Sequence, residues 1–487
     1  MIGAGPGGMA AALAAADAGC QTVLIDSAPH LGGQIYRHSQ RLDRHSQRLD
    51  QHSRRLDRHS QRLGQPGARL PGRLARAAAH PRITLATRIT VWHAQQAGTG
   101  FRLHCTGDTE GDIEAVDAAA VVLATGAAEL VMPFPGWTLP GVVTAGAAQA
   151  MLKSHGTLVG DRVLVAGTGP LLLPVAAGLA ASGARVAALC QAASIGSALT
   201  SMPALFRHPG KLAEAAGYAA ALARGRVRTL AGWALTACRG DGRVEEAEVT
   251  PVGHDWQARG QARSVAVDAV AVSHGLVPLL DLSRALGCDD QQLEGYPTAT
   301  VTVDAGQSTS TPGVFACGEL TGVGGAVKAE LEGTVAGAAA ARQLGRLDDA
   351  GFRARTEGAV KRIASARHFA GLLGRLFPIA DGWIERLQPD TVICRCEDVV
   401  WSEVAGALSA GARDVRAVKG LTRCGMGYCQ GRVCGPVAAQ ATAKLTGQPL
   451  AAVGDLHTRH VVIPVPLSRI AAAAGPVSEP PEAGSAQ

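Results

Sequence analysis

Five of the chain's eleven cysteines fall between residues 394 and 434. Cys394-Arg395-Cys396 opens the group, and Cys424-Gly425-Met426-Gly427-Tyr428-Cys429-Gln430-Gly431-Arg432-Val433-Cys434 closes it. Four thiolates hold a [2Fe–2S] cluster, and glycines between them let backbone N–H groups reach the sulfurs and tune the potential. Zinc also takes four thiolates, but usually from C-x₂₋₄-C pairs; with C-x₄-C at one end and C-x-C at the other, the C-x-C departs from that pattern. The spacing therefore points to iron–sulfur chemistry, with one cysteine more than a single cluster needs. In a long chain with no basic leader at its start, and so no predicted signal peptide, such clustering favours metal over disulfides.

A second chemistry is written at the other end. Gly3, Gly5 and Gly8 have G-x-G-x-x-G spacing, with Pro6 inside the turn. A helix-like alanine run follows at 10–18, then a strand at 21–25 that ends in Asp26. The glycines allow a tight turn, a close pyrophosphate and close helix packing, and the helix N-terminus faces the phosphates. Asp26 stands where a carboxylate takes ribose hydroxyls. The strand that should precede Gly3 is only Met1-Ile2, so either the protein starts further upstream or the sheet has lost part of a central strand. A buried strand at 120–124 ends in Thr125-Gly126, a pattern that closes over the adenine half of such a site. Near residue 314 another strand runs into Gly318-Glu319. The acid suits ribityl hydroxyls, and Gly322, Gly324 and Gly325 suit a close approach to flavin.

A second dinucleotide-like unit opens at 161 with the strand Arg162–Ala166 and Gly167-Thr168-Gly169. Its third glycine is replaced by Leu172, and its second strand ends in Cys190-Gln191. It offers neither an acid for a ribose hydroxyl nor an arginine for a 2′-phosphate. The expected reading is a structural relic rather than a nicotinamide site. His93, His104, His254, His274 and His368 are scattered, Cys317 stands alone, and the flavoprotein body has no C-x-x-C. No acid–base set, nucleophile or redox disulfide emerges, and the catalytic residues are unknown at this stage.

These elements need a large α/β body. The 487 residues are 47% hydrophobic, with 61 glycines and 3% aromatics, which excludes a disordered chain and argues against base stacking on nucleic acid. The formal charge is +6, but residues 37–63 alone hold eight Arg and three Asp, a local +5. That stretch repeats RHSQRLD-like heptads with one leucine each, too few apolar residues for a coiled coil. It reads as a solvated insertion, and the near-neutral remainder implies no nucleic-acid partner. Uncharged stretches at 130–152 and 163–184 are broken by Gly and Pro, so no transmembrane segment is predicted.

Taken together, GAGPGG at 3–8, GGQIYR at 32–37, ATGA at 124–127, PFPGWTLPGV at 133–142, GLVP at 275–278, TPGVFACGE at 311–319, CRCEDV at 394–399 and TRCGMGYCQGRVCG at 422–435 carry a resemblance. The chain resembles the FAD-carrying subunits of heteromeric amine dehydrogenases. That family includes subunits of opine oxidase and of hydrogen cyanide synthase, and the alpha subunits of hydroxyproline and proline dehydrogenases. The last block is also similar to the [2Fe–2S] module of anaerobic glycerol-3-phosphate dehydrogenase and of the bacterioferritin-associated ferredoxin. The resemblance implies FAD at Gly3, Gly5, Pro6, Gly8, Asp26, Gly33, Gln34, Thr125, Gly126, Gly318 and Glu319. It implies cluster ligation by Cys394, Cys396, Cys429 and Cys434, with Cys424 as spare or alternate. It further implies an amine-oxidising flavoprotein partner, an electron acceptor such as a quinone or cytochrome, and a cytoplasmic place, at most peripheral at the inner membrane through the complex.

The expected fold is an α/β, two-dinucleotide-domain flavoprotein of disulfide-reductase type with a small C-terminal ferredoxin-like domain. Its parts are an FAD domain in two pieces (1–135, with the 37–63 insertion, and 270–345) and a degraded NAD(P)-like domain (136–269). A helical linker (346–390), a [2Fe–2S] domain (391–450) and a flexible tail (451–487) follow. The expected function is electron relay from the partner to an acceptor, the amine being of opine, hydroxyproline or glycine type. Two rivals stay open: a self-sufficient NAD(P)H-dependent reductase, and a structural subunit with zinc in the cysteine module.

Overall fold

A computed structural model describes residues 1–35, 70–107, 113–194, 196, 203–293, 298–456 and 459–474. The 37–63 heptads and the last residues, 475–487, lie outside them. Among the described residues, no helix is long and apolar enough to cross a membrane.

The first unit is a parallel sheet with Met1-Ile2 at its centre. Thr22–Asp26 pairs with Ile83–Thr87, and Val121–Leu123 with Val314–Ala316. Ile2 joins these two pairs, bridging Ile25 on one side and Leu123 on the other. Its N–H donates to the Val122 carbonyl at 2.9 Å and its carbonyl accepts from Ala124 at 2.8 Å. The shortened strand thus fills the central position of the sheet. Buried Ile2, Ile25, Leu123 and Ala316 share one core with an antiparallel meander, Ile89–Ala97, Gly100–Gly107 and Ala115–Ala118.

Two helices close the sheet. Pro6–Asp17 and Ala326–Gln343 approach backbone to backbone: a Cβ on Gly333 would lie 2.0 Å from the Gly7 carbonyl oxygen, and one on Gly337 2.1 Å from that of Ala11. Glycine at these positions is what lets the helices meet so closely.

The second unit is a five-stranded parallel sheet in the order Thr229–Ala231, Arg185–Gln191, Arg162–Gly167, Ala269–Ser273, Val142–Thr144. An antiparallel trio, Trp233–Arg239, Glu246–Pro251 and Arg263–Ala266, lies beside it. The strand Ala269–Ser273 pairs with both Arg162–Gly167 and Val142–Thr144, so the expected boundary at 269/270 cuts a strand; pairing moves it to after Ser273.

The linker contains the long helix Asp349–Leu376, capped by the Asp348 carboxylate on Gly351 N–H, and the 3₁₀ turn Asp381–Arg386. Trp383 and Ile384 of that turn enter one apolar core with Trp256 and Met132 of the flavoprotein body and with Cys394, Cys424 and Cys434. The cysteine module is therefore built onto the second unit. Of the residues placed in the tail, 451–456 and 459–474 are described, and both stretches make packing contacts. Leu456 packs against Gly425 and Gly431, and Val462 donates to the Trp92 carbonyl at 2.8 Å and is buried in the first unit's core.

Candidate functional site

Local backbone demands explain the glycines of the first unit. Gly3 has φ +98°, and a Cβ there would meet the Ala124 carbonyl oxygen at 2.3 Å; one on Gly8 would lie 1.7 Å from the Gly3 oxygen. Both turn and packing exclude a side chain. Gly5 differs: among the described residues nothing lies within 4 Å of its Cβ position, and the same holds for Gly126 and Gly325. These open backbones belong to the turns after Ile2, after Leu123 and before helix Ala326–Gln343. They mark places where a ligand, rather than protein, can approach the main chain. Pro6 starts the first helix directly after Gly5, and Gly325 is the N-cap of the other, so two helix N-termini, with the positive ends of their dipoles, border these turns.

The predicted carboxylates are held in place. Asp26 accepts from Ala4 N–H at 2.5 Å and from Ala28 N–H at 2.7 Å, each on a different oxygen, which leaves lone pairs for ribose hydroxyls. Gly33 takes φ +60° with its Cβ position 2.9 Å from the Gly5 Cα, and Gln34 is exposed beside it. Thr125 donates to the Leu279 carbonyl at 3.0 Å, tying the strand end to the chain just after GLVP. Glu319 accepts from Gly324 N–H at 2.9 Å and Gly325 N–H at 2.8 Å, so it shapes the turn. Burial pushes its carboxyl above the ordinary value, and nearby Lys328 opposes that shift.

Under Gly318 and Glu319 lies a charged group that sequence reading missed. Glu332 accepts from Lys328 Nζ at 2.8 Å, Thr321 Oγ1 at 2.7 Å, Gly318 N–H at 3.0 Å and, on its other oxygen, Arg367 Nη2 at 2.9 Å. The Lys-x-x-x-Glu spacing inside an Ala/Gly-rich helix was the available signal. Some scattered histidines also find partners. His93 and His104 stack across neighbouring strands with centroids 5.5 Å apart, His208 stacks on His368, and buried His274 accepts from Met132 N–H. Burial pushes His274 down to about 3, so it is neutral.

The cysteine centre groups differently from the expected set. Cys394, Cys424 and Cys434 are buried, with their sulfurs within 4.8 Å of one another. Cys424, expected as the spare, is thus inside. Cys396 is exposed and Cys429 half-buried, and these two touch each other through thiol and backbone N–H hydrogen bonds. Thiol hydrogen bonds from Cys424 and Cys434 hold Cys394 down at about 2, while the bond to Cys394 pushes Cys424 up to about 12 and the bonds to Cys394 and Cys424 push Cys434 up as well. Such a nest of shared protons is what a metal displaces when thiolates ligate it.

In the second unit, Gln191 accepts from Gly169 N–H at 3.2 Å and donates to the Gly169 carbonyl at 3.1 Å. Leu172 is fully buried and starts the helix Leu172–Ala181.

An open glycine-lined turn system in the first of two Rossmann units, with a cysteine centre packed on the second, defines a two-dinucleotide-domain flavoprotein. The pyridine nucleotide-disulphide oxidoreductase family matches residues 1–345, and the sarcosine oxidase A3 domain matches residues 388–474. The chain belongs to the pyridine nucleotide-disulphide oxidoreductase family and is an FAD-dependent oxidoreductase. Hydrogen cyanide synthase subunit HcnB of Pseudomonas protegens is 31% identical over 96% of each chain. The corresponding subunit of opine oxidase from Agrobacterium tumefaciens is 32% identical over 97% of this chain and 90% of its own. L-proline dehydrogenase from P. horikoshii shares the fold, with TM-score 0.66 at 18% identity over 96% of this chain and 78% of that one. The expected family holds, and so does the α/β fold class of the flavoprotein body.

Proposed function

We propose that this chain is the electron-relaying FAD subunit of a heteromeric amine dehydrogenase. FAD sits at Gly3, Gly5, Pro6, Gly8, Asp26, Gly33, Gln34, Thr125, Gly126, Gly318 and Glu319. A partner subunit oxidises an amine or imino acid of opine, hydroxyproline or glycine type, and the acceptor is a quinone, cytochrome or similar carrier. Bound FAD supplies exchange between hydride and single electrons. The chain's own residues orient it: Asp26 faces the ribose, the two helix N-termini face the phosphates, and Glu319 fixes the glycine turn. The observation that carries this reading is the contrast between open Gly5 and the Gln191-bonded Gly169, because it leaves NAD(P)H without equipped binding groups in this chain.

The cysteine module holds a [2Fe–2S] cluster through Cys394, Cys396, Cys429 and Cys434. A two-iron cluster takes two thiolates per iron, and the adjacent pairs Cys394/Cys434 and Cys396/Cys429 match that need. Cys424 is the alternate. A zinc reading is favoured by one observation, the buried Cys394–Cys424–Cys434 triad, which suits a closed tetrahedral site with a fourth thiolate. Metal analysis with serine variants separates them. Cys394→Ser and Cys434→Ser remove the metal in either case. Cys424→Ser keeps most iron if the cluster set is right, whereas zinc content that disappears with Cys424→Ser establishes the triad.

Electron flow is tested by anaerobic stopped-flow mixing. The flavin is expected to bleach slowly or not at all with NADH or NADPH, and rapidly with the partner subunit and its amine. Fast, saturable bleaching by NADH alone would replace the relay by a self-sufficient reductase.

A further inference from the structure

The Lys328–Glu332–Arg367 group is unexplained by stability. Lys328 is 2% exposed and Glu332 0%. Buried ion pairs are on average no more stabilising than apolar residues of the same volume, because desolvation offsets the attraction. What sets this one apart is where its donors point. Lys328 Nζ reaches the Gly318 carbonyl, the Gly322 carbonyl and Thr321 Oγ1, each at 2.9 Å, as well as Glu332. Glu332 in turn accepts the Gly318 N–H at 3.0 Å. Both polar groups of the Gly318 peptide are therefore gripped from beneath, at φ +83°. Arg367, reaching from helix Asp349–Leu376, fixes the far oxygen of Glu332 through Nε at 3.1 Å and Nη2 at 2.9 Å.

We propose that Lys328, steered by Glu332 and Arg367, is a positioning residue for the flavin: it clamps the Gly318–Gly322 turn and sets a fixed positive charge behind it. The inference rests on the FAD reading above. The ammonium collects the Gly318 and Gly322 carbonyls, which would otherwise be free to face a reduced, negatively charged ring. Lys328 and Arg367 offset Glu332 and the buried Glu319 beside them, and the Lys328 charge lies in a region of low dielectric, where its influence on a nearby anion is strong. Reduced flavin gains from that charge more than oxidised flavin does.

The test uses the full chain stripped of flavin and titrated with FAD, followed by potentiometry and thermal melting. Wild-type protein is read first: failure to take up FAD overturns the FAD reading itself. With wild type competent, Lys328→Met is expected to weaken FAD binding at least tenfold. It should weaken the reduced form about tenfold more, which is about 30 mV in a two-electron potential. Should Lys328→Met not fold, Thr321→Val removes one acceptor of the ammonium, and a several-fold loss of FAD affinity with a lowered potential is expected. Wild-type affinity and potential in whichever variant folds, with only the melting temperature reduced, would make the group a packing feature and overturn the proposal.

Discussion

In the first dinucleotide unit the helix begins one residue after Gly5; in the second it begins three residues after Gly169, at Leu172. The difference traces to the third glycine of the motif. Gly8 lies so near the Gly3 carbonyl that any side chain would collide, and that closeness draws the helix N-terminus onto the turn. Leu172 instead sits in a core with Val163, Val175 and Leu189, which holds the helix start away from the turn. Gly169 still has φ +120° and free room at its Cβ, yet its N–H and carbonyl are both bonded by Gln191. On the proposed reading, a Rossmann unit keeps its strands and loses its ligand by changing two side chains. What the second unit does instead is visible at Trp256, 1% exposed in the core it shares with the cysteine module.

The strongest way to break this comparison is to fill the open place. Gly5→Val adds a branched side chain at a Cβ position with no atom of the described residues within 4 Å, so the fold should survive while the pyrophosphate is blocked. Bound FAD is expected to fall from stoichiometric to near zero, read from the visible spectrum after gel filtration. Full FAD content in folded Gly5→Val would place the ligand elsewhere.

Trp256→Ala attacks the other side. Truncating a fully buried tryptophan costs about 3–5 kcal/mol, and the cavity would open in the core that holds Cys394, Cys424 and Cys434. Metal should be lost before FAD on mild heating, followed by metal and flavin release on one sample. Simultaneous release, or FAD first, would deny that the second unit is the support of the cysteine module.

How far these roles could be read in the sequence varies with the kind of residue. Gly3, Gly5, Gly8 and Asp26 were legible because backbone approach and a strand-end carboxylate are local requirements with fixed spacing. Leu172 and Gln191 were legible as departures from that spacing. The Glu332 grouping was not, because Arg367 lies 35 residues further on a different helix and nothing local ties the two. The cysteines were half legible. Their number and spacing announced a thiol cluster, but the chain leaves its strand at Cys394 and then turns, which buries Cys394 with Cys424 and leaves Cys396 exposed. Where the tail begins was not legible for a tertiary reason: Val462 finds a buried place on the meander, a contact with residues far away in the chain, while GPVSEPPEAGSAQ, the stretch expected to be disordered, lies outside the described residues.

A middle-sized effect is expected at Asp26. Asp26→Asn keeps the shape but turns one accepting oxygen into a donor, which opposes either Ala4 N–H or Ala28 N–H and weakens the ribose contact. Hydrogen bonds to a charged group are worth about 1.5–3 kcal/mol, so FAD affinity should drop roughly tenfold to a hundredfold. Titration of stripped protein measures it; unchanged affinity would remove Asp26 from the site.

The smallest effect belongs to Gln191, and it sharpens the comparison most. Gln191→Leu deletes both bonds to Gly169 but introduces no clash at a half-buried position. Two neutral hydrogen bonds contribute about 1–3 kcal/mol together, partly recovered where water reaches the freed peptide. A lowering of stability by about 1 kcal/mol is therefore expected, measured by denaturant unfolding. FAD affinity should stay at the wild-type value, because Gln191 belongs to a different sheet from Gly3 and Asp26. The rate of NADH bleaching should also stay low: releasing the Gly169 peptide restores a donor for phosphate, but Leu172 still holds the helix N-terminus back and no carboxylate stands ready for the ribose. If Gln191→Leu instead brought fast bleaching by NADH, that single side chain would be a latch on a working nucleotide site, and the second unit would have to be read as closed rather than converted.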